Sequence, residues 1–229
     1  MKKILVIDFQ NLFIRSYVTN PSISKNGDPI GGIAGTFKSI QKVCRETKAD
    51  KIIVCHDGAG GSRKKKALNK NYKEGRNPLR LNRNIKVLDE KQEYDNRIWQ
   101  QLRTFEYLNL CPIIQIMEEN VEADDIISYV CQYTAFKDDI KMILSSDKDF
   151  IQLLDDKTIL LRPVQEEILN KNRVLEEYKI HPKNFALARS IAGDKSDNLD
   201  GVRGVGLITL AKKFPLLAEN KSYCVDDIL

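Results

Sequence analysis

Short apolar runs recur along the first two-thirds of the chain, each too brief for a helix and most of them ending at acids. Ile4–Ile7 leads to Asp8, Ile52–His56 to Asp57, Pro112–Met117 to Glu122-Ala123-Asp124-Asp125, and Met142–Leu144 to Asp147 and Asp149. Runs of this length read as buried strands, predicted over 3–8, 51–56, 112–117 and 140–145, with another at 158–163. Apolar residues at helical spacing predict helices over 11–18, 31–46, 94–108, 124–133 and 150–154. In the third of these, Ile98, Leu102, Phe105 and Tyr107 or Leu108 are expected to face the core. Alternating strand and helix predict an α/β fold with a mostly parallel central sheet flanked by helices. Beyond about residue 170 the pattern is helical only, which divides the chain into a core (1–169) and a helical subdomain (170–229). Ser24 to Pro29 is rich in turn formers. Residues 58–70 carry no apolar period and are expected to form a mobile excursion.

In an open parallel sheet, sites form in the crevice at the carboxyl ends of the strands. Asp8, Asp57, Glu122, Asp124, Asp125, Asp147 and Asp149 would all reach that edge, with Asp194 and Asp197 following in the helical part. A single aspartate after a strand is more often a helix cap, and three acids at the start of 124–133 would suit a helix dipole. Together they exceed what capping requires. Glu122 and Asp125 fall on one helical face, and Asp147 and Asp149 point to the same side of an extended turn. Such a concentration of negative charge is stable only with cations, so a divalent metal site is predicted.

Composition narrows the metal. Five cysteines without a Cys-x-x-Cys pair, and only two histidines, argue against disulfides and zinc. Oxygen donors suit Mg²⁺ or Mn²⁺. Hydrophobic residues are 42% and charged residues 30% of 229, the balance of a soluble protein. No apolar run could span a membrane, and Asp8 interrupts the only segment resembling a signal peptide, so a cytoplasmic protein is expected. The net charge of +5 is unevenly spread. Nine basic residues lie between Arg63 and Arg83 (Arg63, Lys64, Lys65, Lys66, Lys70, Lys73, Arg76, Arg80, Arg83) against one acid, Glu74. A basic block beside an acidic well can hold a polyanion against metal ions. Finally, Gly193-Asp194-Lys195-Ser196-Asp197-Asn198 runs into Gly201, Gly204 and Gly206, which open an amphipathic segment. Glycines at such a turn let backbone N–H groups approach a phosphate.

In this order, the Glu-Ala-Asp-Asp, Asp-Lys-Asp and Gly-Asp-Lys-Ser-Asp-Asn…Gly-Val-Arg-Gly-Val-Gly elements resemble the 5′ nuclease (flap endonuclease) superfamily, from Ile4 to about Phe214. The resemblance implies a PIN-like nuclease core with a basic, helical arch over about 58–92 and a C-terminal helix–three-turn–helix. One metal would be held mainly by Asp8, Asp57, Glu122 and Asp124, a second by Asp147, Asp149, Asp194 and Asp197, with Asp125 completing the network. Lys73 and Arg76 of Tyr72-Lys73-Glu74-Gly75-Arg76 would meet the scissile phosphate. Arg63, Lys64, Lys65, Lys66, Lys70, Tyr72 and Arg80 would line the strand, while Gly201, Gly204 and Gly206 grip duplex, with K⁺ as a candidate ion there. Asn26 to Gly32 is similar to an early turn packed against duplex. The implied activity is two-metal hydrolysis of DNA at a 5′ flap or free 5′ end, by exonuclease and endonuclease cleavage, extending to RNA–DNA hybrids and primer removal, by a monomer without membrane association. The alternatives are a catalytically inactive structure-specific DNA-binding protein of this fold, or a Mg²⁺-dependent phosphatase, which would leave the basic block without a role. Two departures stand out: His56 replaces a common Phe, and the sequence stops soon after the last glycine turn.

Overall fold

The computed structural model describes residues 1–68, 70 and 82–228. Its strands are β1 (Lys3–Asp8), β2 (Lys51–His56), β3 (Ile114–Met117), β4 (Ile140–Leu144), β5 (Thr158–Arg162) and β6 (Glu167–Leu169). They form one sheet in the order β3-β2-β1-β4-β5-β6, parallel except for β6, which returns antiparallel on β5. The chain steps outward from β1 to β3 and then crosses back to β4. The strand order therefore reverses between β1 and β4, and the crevice of a doubly wound sheet opens at such a reversal.

β1 is the axis of the core because its side chains alternate between two covered faces. Ile4 and Val6 join one apolar cluster, Leu5 and Ile7 another, and all four are fully buried. Against the Leu5 face pack α1 (Phe9–Thr19), α2 (Gly31–Thr47) and α4 (Glu90–Leu108), through residues such as Phe13, Ile40 and Leu108. Against the Ile4 face pack α5 (Ala123–Gln132), α6 (Lys171–Tyr178), α7 (Phe185–Ala192) and α8 (Leu207–Lys213). Val174, Phe185, Ala188 and Leu210 thus share one cluster with the sheet.

Several expectations need correction. The basic stretch contains a helix, α3 (Arg63–Leu68), although Leu68 is exposed and no apolar face forms. The run before Glu122 is an edge strand, shortened to four residues, with Ile114 and Met117 at least half exposed. Residues 148–153 wind into a 3₁₀ helix, and β6 escaped notice because three residues give no periodicity. Helix α4 begins earlier than predicted, at a capping box in which Asp89 accepts the Gln92 N–H and the Gln92 side chain accepts the Asp89 N–H.

The inward face of α4 is only partly the expected one: Leu108 is fully buried and Phe105 packs against the core, but polar residues share that face. Leu102 and Tyr107 are exposed, while Gln100 and Thr104 are fully buried. The reason is the start of α2, which has no side-chain cap of its own. Gln100 Oε1 accepts the N–H groups of Gly32 (2.7 Å) and Ile33 (3.2 Å), and its Nε2 donates to the Pro29 carbonyl (2.8 Å). A glutamine on one helix thereby satisfies the orphan donors of another. Gln100→Leu should strand two buried N–H groups and lower stability by about 2–4 kcal/mol. Urea denaturation would show this as a lower midpoint, and a midpoint like the wild type's would mean that the α2 amides find other acceptors.

Candidate active site at the carboxyl edge of the sheet

Asp8 ends β1 at the reversal point and is 6% exposed. The helix-cap reading of this residue holds. One oxygen caps α1 by accepting the Asn11 N–H (3.1 Å), and the other accepts the Ser145 hydroxyl (2.8 Å) from the end of β4. Burial pushes its carboxyl up to about 6, assisted by the charges of Asp57 and Asp147 and opposed by the two hydrogen bonds. Ser145, itself buried, also accepts the Asp147 N–H (3.1 Å), so one hydroxyl ties together the acids of β1 and β4. Sequence reasoning missed Ser145, whose only signal is its place at a strand end before Asp147.

Asp57 lies at the end of β2 and accepts the N–H of Ala123, the first residue of α5, at 2.8 Å. The neighbouring loops interlock: Gly58 donates to the Val121 carbonyl (2.9 Å), Asn120 to that of Ala59 (2.9 Å). A Cβ on Gly58 would lie 1.7 Å from the Glu118 carbonyl oxygen, so this approach requires glycine. The clamp sets Asp57 beside buried Glu122 and half-buried Asp124 at the positive end of α5. Lys65 of α3 hydrogen-bonds Glu122 and sits 3.7 Å from exposed Asp125. It therefore lies on the acids themselves, unlike exposed Arg63, Lys66 and Lys70.

A second group of acids gathers on the other side of Asp147. Ligand oxygens of Asp149, Asp194 and Asp197 lie within 4.8 Å of one another. Arg189, from the last turn of α7, bonds both Asp149 (3.0 Å) and Asp194. It was not anticipated; an arginine five residues before an aspartate of the cluster is the signal that could have found it. Asp149 is raised by burial first, then by the charge of Asp147, with Arg189 acting against both. Asp147, which caps the 3₁₀ turn through the Asp149 N–H (2.9 Å), repels Asp8 as well as Asp149. The charge of Asp147 therefore acts on both groups of acids. These all-oxygen donor sets fit a hard divalent cation, and burial without enough counter-charge is what such an ion would relieve.

The glycine turn divides in two. Gly193 (φ +79°) and Gly201 cross so tightly that a Cβ on Gly201 would meet the Ala192 carbonyl at 2.2 Å. Gly204 (φ +77°) and Gly206 face open space, and Gly206 precedes α8 without a side-chain cap. Gly201 is thus fixed by packing, whereas Gly204 and Gly206 are open to a ligand. The turn at Ser24–Asp28 closes through the Ser24 N–H to the Asp28 carbonyl (2.8 Å). Lys73, Arg76, Tyr72 and Arg80 lie outside the described residues, as does the Lys64 side chain. His56 is buried between the rings of Phe9 (4.5 Å) and Phe105 (4.4 Å), and burial lowers it to about 4. The neutral imidazole packs between these rings as a phenyl ring could, and its Nε2 also lies 2.9 Å from Gln115 Oε1. The cysteines are free, and burial raises the Cys55 and Cys131 thiols to about 12, far from reactive. No helix among the described residues is long and apolar enough to cross a membrane.

An acid-lined crevice at the reversal of a doubly wound sheet is the architecture of the 5′ nucleases, and the chain compares accordingly. Residues 3–179 match the family described as 5′-3′ exonuclease, N-terminal resolvase-like domain. A 5′-3′ exonuclease of Buchnera aphidicola is 31% identical over 93% of this chain and 71% of its own length. The thermostable DNA polymerase I of Thermus filiformis is 27% identical over 95% of this chain, which spans 24% of that enzyme. Among solved structures, bacteriophage T5 D15 flap endonuclease, in a pseudo-enzyme-product complex with DNA and metal ions, shares the fold with a TM-score of 0.75. It is 19% identical over 96% of this chain and 76% of its own. The chain belongs to the 5′-3′ exonuclease family.

The raised carboxyl of Asp8 has a consequence for stability. Its folded value of about 6 lies above the ordinary aspartate value of 3.8, so in that window the native state holds a proton the unfolded chain has released. Without metal, this group stabilises the fold at low pH, and the contribution is lost as pH rises through 6, by up to roughly 3 kcal/mol. Asp8→Asn should therefore gain on the wild type as pH goes from about 4.5 to 7.5 in EDTA, as read by urea unfolding. A constant gap between the two proteins would remove Asp8 from the strained well.

Proposed function

We propose that this 5′ nuclease hydrolyses phosphodiesters of DNA at 5′ flaps and free 5′ ends, leaving a 5′-phosphate and a 3′-hydroxyl. The observation that carries the reading is the gathering of Asp149, Asp194 and Asp197 within 4.8 Å of one another, with Asp147 acting on both Asp149 and buried Asp8, in a chain of this family. RNA–DNA hybrids are a second substrate class, Mg²⁺ or Mn²⁺ the cofactor, and the working form a monomer.

Asp8, Asp57, Glu122 and Asp124 would hold one ion; Asp147, Asp149, Asp194 and Asp197 would hold the other. When bound, two such ions supply activation of the attacking water and stabilisation of the leaving oxygen. The protein's own part is to hold these oxygens in place beforehand. Ser145 and Asn11 orient Asp8, the Ala123 amide orients Asp57, and Arg189 aligns Asp149 with Asp194. Lys65 and Arg189 offset the repulsion until cations arrive. Lys73 and Arg76 would meet charge that develops on the scissile phosphate, a contribution of about 3 kcal/mol for one well-placed donor. The remaining basic block would cover the single strand, while the open turn at Gly204 and Gly206 takes a duplex phosphate, with K⁺ as its partner ion.

A 5′-labelled flap substrate tests the reading directly: cleavage should require Mg²⁺ or Mn²⁺ and stop in EDTA. Asp124→Asn should cut turnover by orders of magnitude with the fold intact. Full activity in EDTA would defeat the proposal. The arch has its own test. Lys73→Ala should lower single-turnover cleavage far more than it weakens binding in Ca²⁺, with the reverse for exposed Lys66→Ala. Indistinguishable variants would leave the block as an electrostatic tether alone.

A further inference from the structure

Beside the carboxylates, a cleft of about 270 Å³ is lined by Asn11, Ser146, Asp147, Lys148 and Arg189. Its chemistry differs from that of the acidic groups. The Asn11 Oδ1 accepts the Ser146 N–H (3.2 Å), which fixes the amide so that its NH₂ faces elsewhere, and that NH₂ has no acceptor among the described residues. The Ser146 hydroxyl is buried with no partner, unlike that of its neighbour Ser145, which donates to Asp8. Lys148 makes no ion pair with a described residue, and its ammonium lies 5.7 Å over the Tyr178 ring. An amide NH₂, a hydroxyl and an ammonium form a donor set for an anion.

The cleft is smaller than the roughly 300 Å³ at which small-molecule pockets begin. It has no aromatic wall on which a base could stack. Arg189 is already committed to Asp149 and Asp194, and Asp147 marks the side turned to the acidic groups. These limits exclude a nucleobase and leave a single phosphate group, held within reach of the reacting centre.

We infer that Asn11, Ser146 and Lys148 form a backbone-phosphate subsite that holds one phosphodiester of the cleaved strand adjacent to the bond hydrolysed. The inference rests on the nuclease reading and adds positioning residues to it. Their role would be to set the register of the strand, so that one linkage and not its neighbour meets the carboxylates. A shift of one nucleotide would move a phosphate out of all three donors together.

The test replaces single linkages of a 5′-flap oligonucleotide, one at a time, by uncharged methylphosphonate, and measures affinity in Ca²⁺. Wild type should lose roughly tenfold at one linkage next to the scissile one, the size of a charged hydrogen bond. With Lys148→Gln or Ser146→Ala, that linkage should become nearly indifferent while the other linkages keep their wild-type penalties. Ser146→Ala should also leave the melting temperature unchanged or higher, since it removes an unsatisfied buried hydroxyl. Cleavage by both variants should spread to the neighbouring bond. Identical linkage profiles in wild type and variants would overturn the subsite while leaving the nuclease intact. Failure of the wild type to bind or cut any 5′-ended strand would overturn the nuclease reading, and the subsite with it.

Discussion

Mutual repulsion among carboxylates is the constraint around which this protein is arranged. The strand order brings the ends of β1 and β4 together at the centre of the sheet, where Asp8 is buried and Asp147 follows within range. Nothing in the packing of an α/β core requires acids there. Asp8 is held by the Ser145 hydroxyl and Asp57 by the Ala123 amide, each from another element, and Asp147 by the Asp149 amide of its own turn. Two basic side chains, Lys65 and Arg189, each lie on a pair of acids. The fold thus tolerates the charge by fixing it and by lending it counter-charge, which keeps the oxygens pre-organised for a ligand that binds them all.

Much of this was legible in the chain. The central strands were readable because a strand covered on both faces is a continuous apolar run, as in Ile4–Ile7, and because an acid follows each one. The acids of the well were readable for the same reason: their residue type contradicts the run they terminate. What stayed hidden was whatever depends on partners distant in sequence. Gln100 looks like a surface residue until α2 arrives with uncapped amides 68 positions away. Arg189 looks like a solvated helix end until the turn after α7 folds Asp194 back onto it. The edge position of β3 could not be seen either, since an apolar run reads alike in the centre and at the rim of a sheet.

Polar residues inside the core have here a consistent explanation. Gln100 and Thr104 share the inward face of α4 with Phe105 and Leu108, while Tyr94, Trp99 and Leu102 stay substantially exposed. Hydrogen bonding to a buried helix start outweighs the burial of a few apolar side chains, because an unsatisfied amide costs as much as a sizeable apolar area offers. Burial likewise keeps His56 neutral between the rings of Phe9 and Phe105, where its charge would otherwise be a cost.

The crossing of Gly193 over Gly201 carries an implication for how the molecule tolerates change. Between those two points Asp194 and Leu199 pair through both of their backbone hydrogen bonds, and Val202 is tied to the Ile191 carbonyl. Residues 193 to 202 are therefore a sealed ring of main chain, a cassette with Asp194 and Asp197 set in its wall. A length change inside that ring has no slack in which to be absorbed and must displace both acids together. Outside it, at the open turn of Gly204 to Gly206, the chain can lengthen or change composition without touching the well. Descendants of this sequence are then free to alter the exposed turn while the carboxylates keep their register.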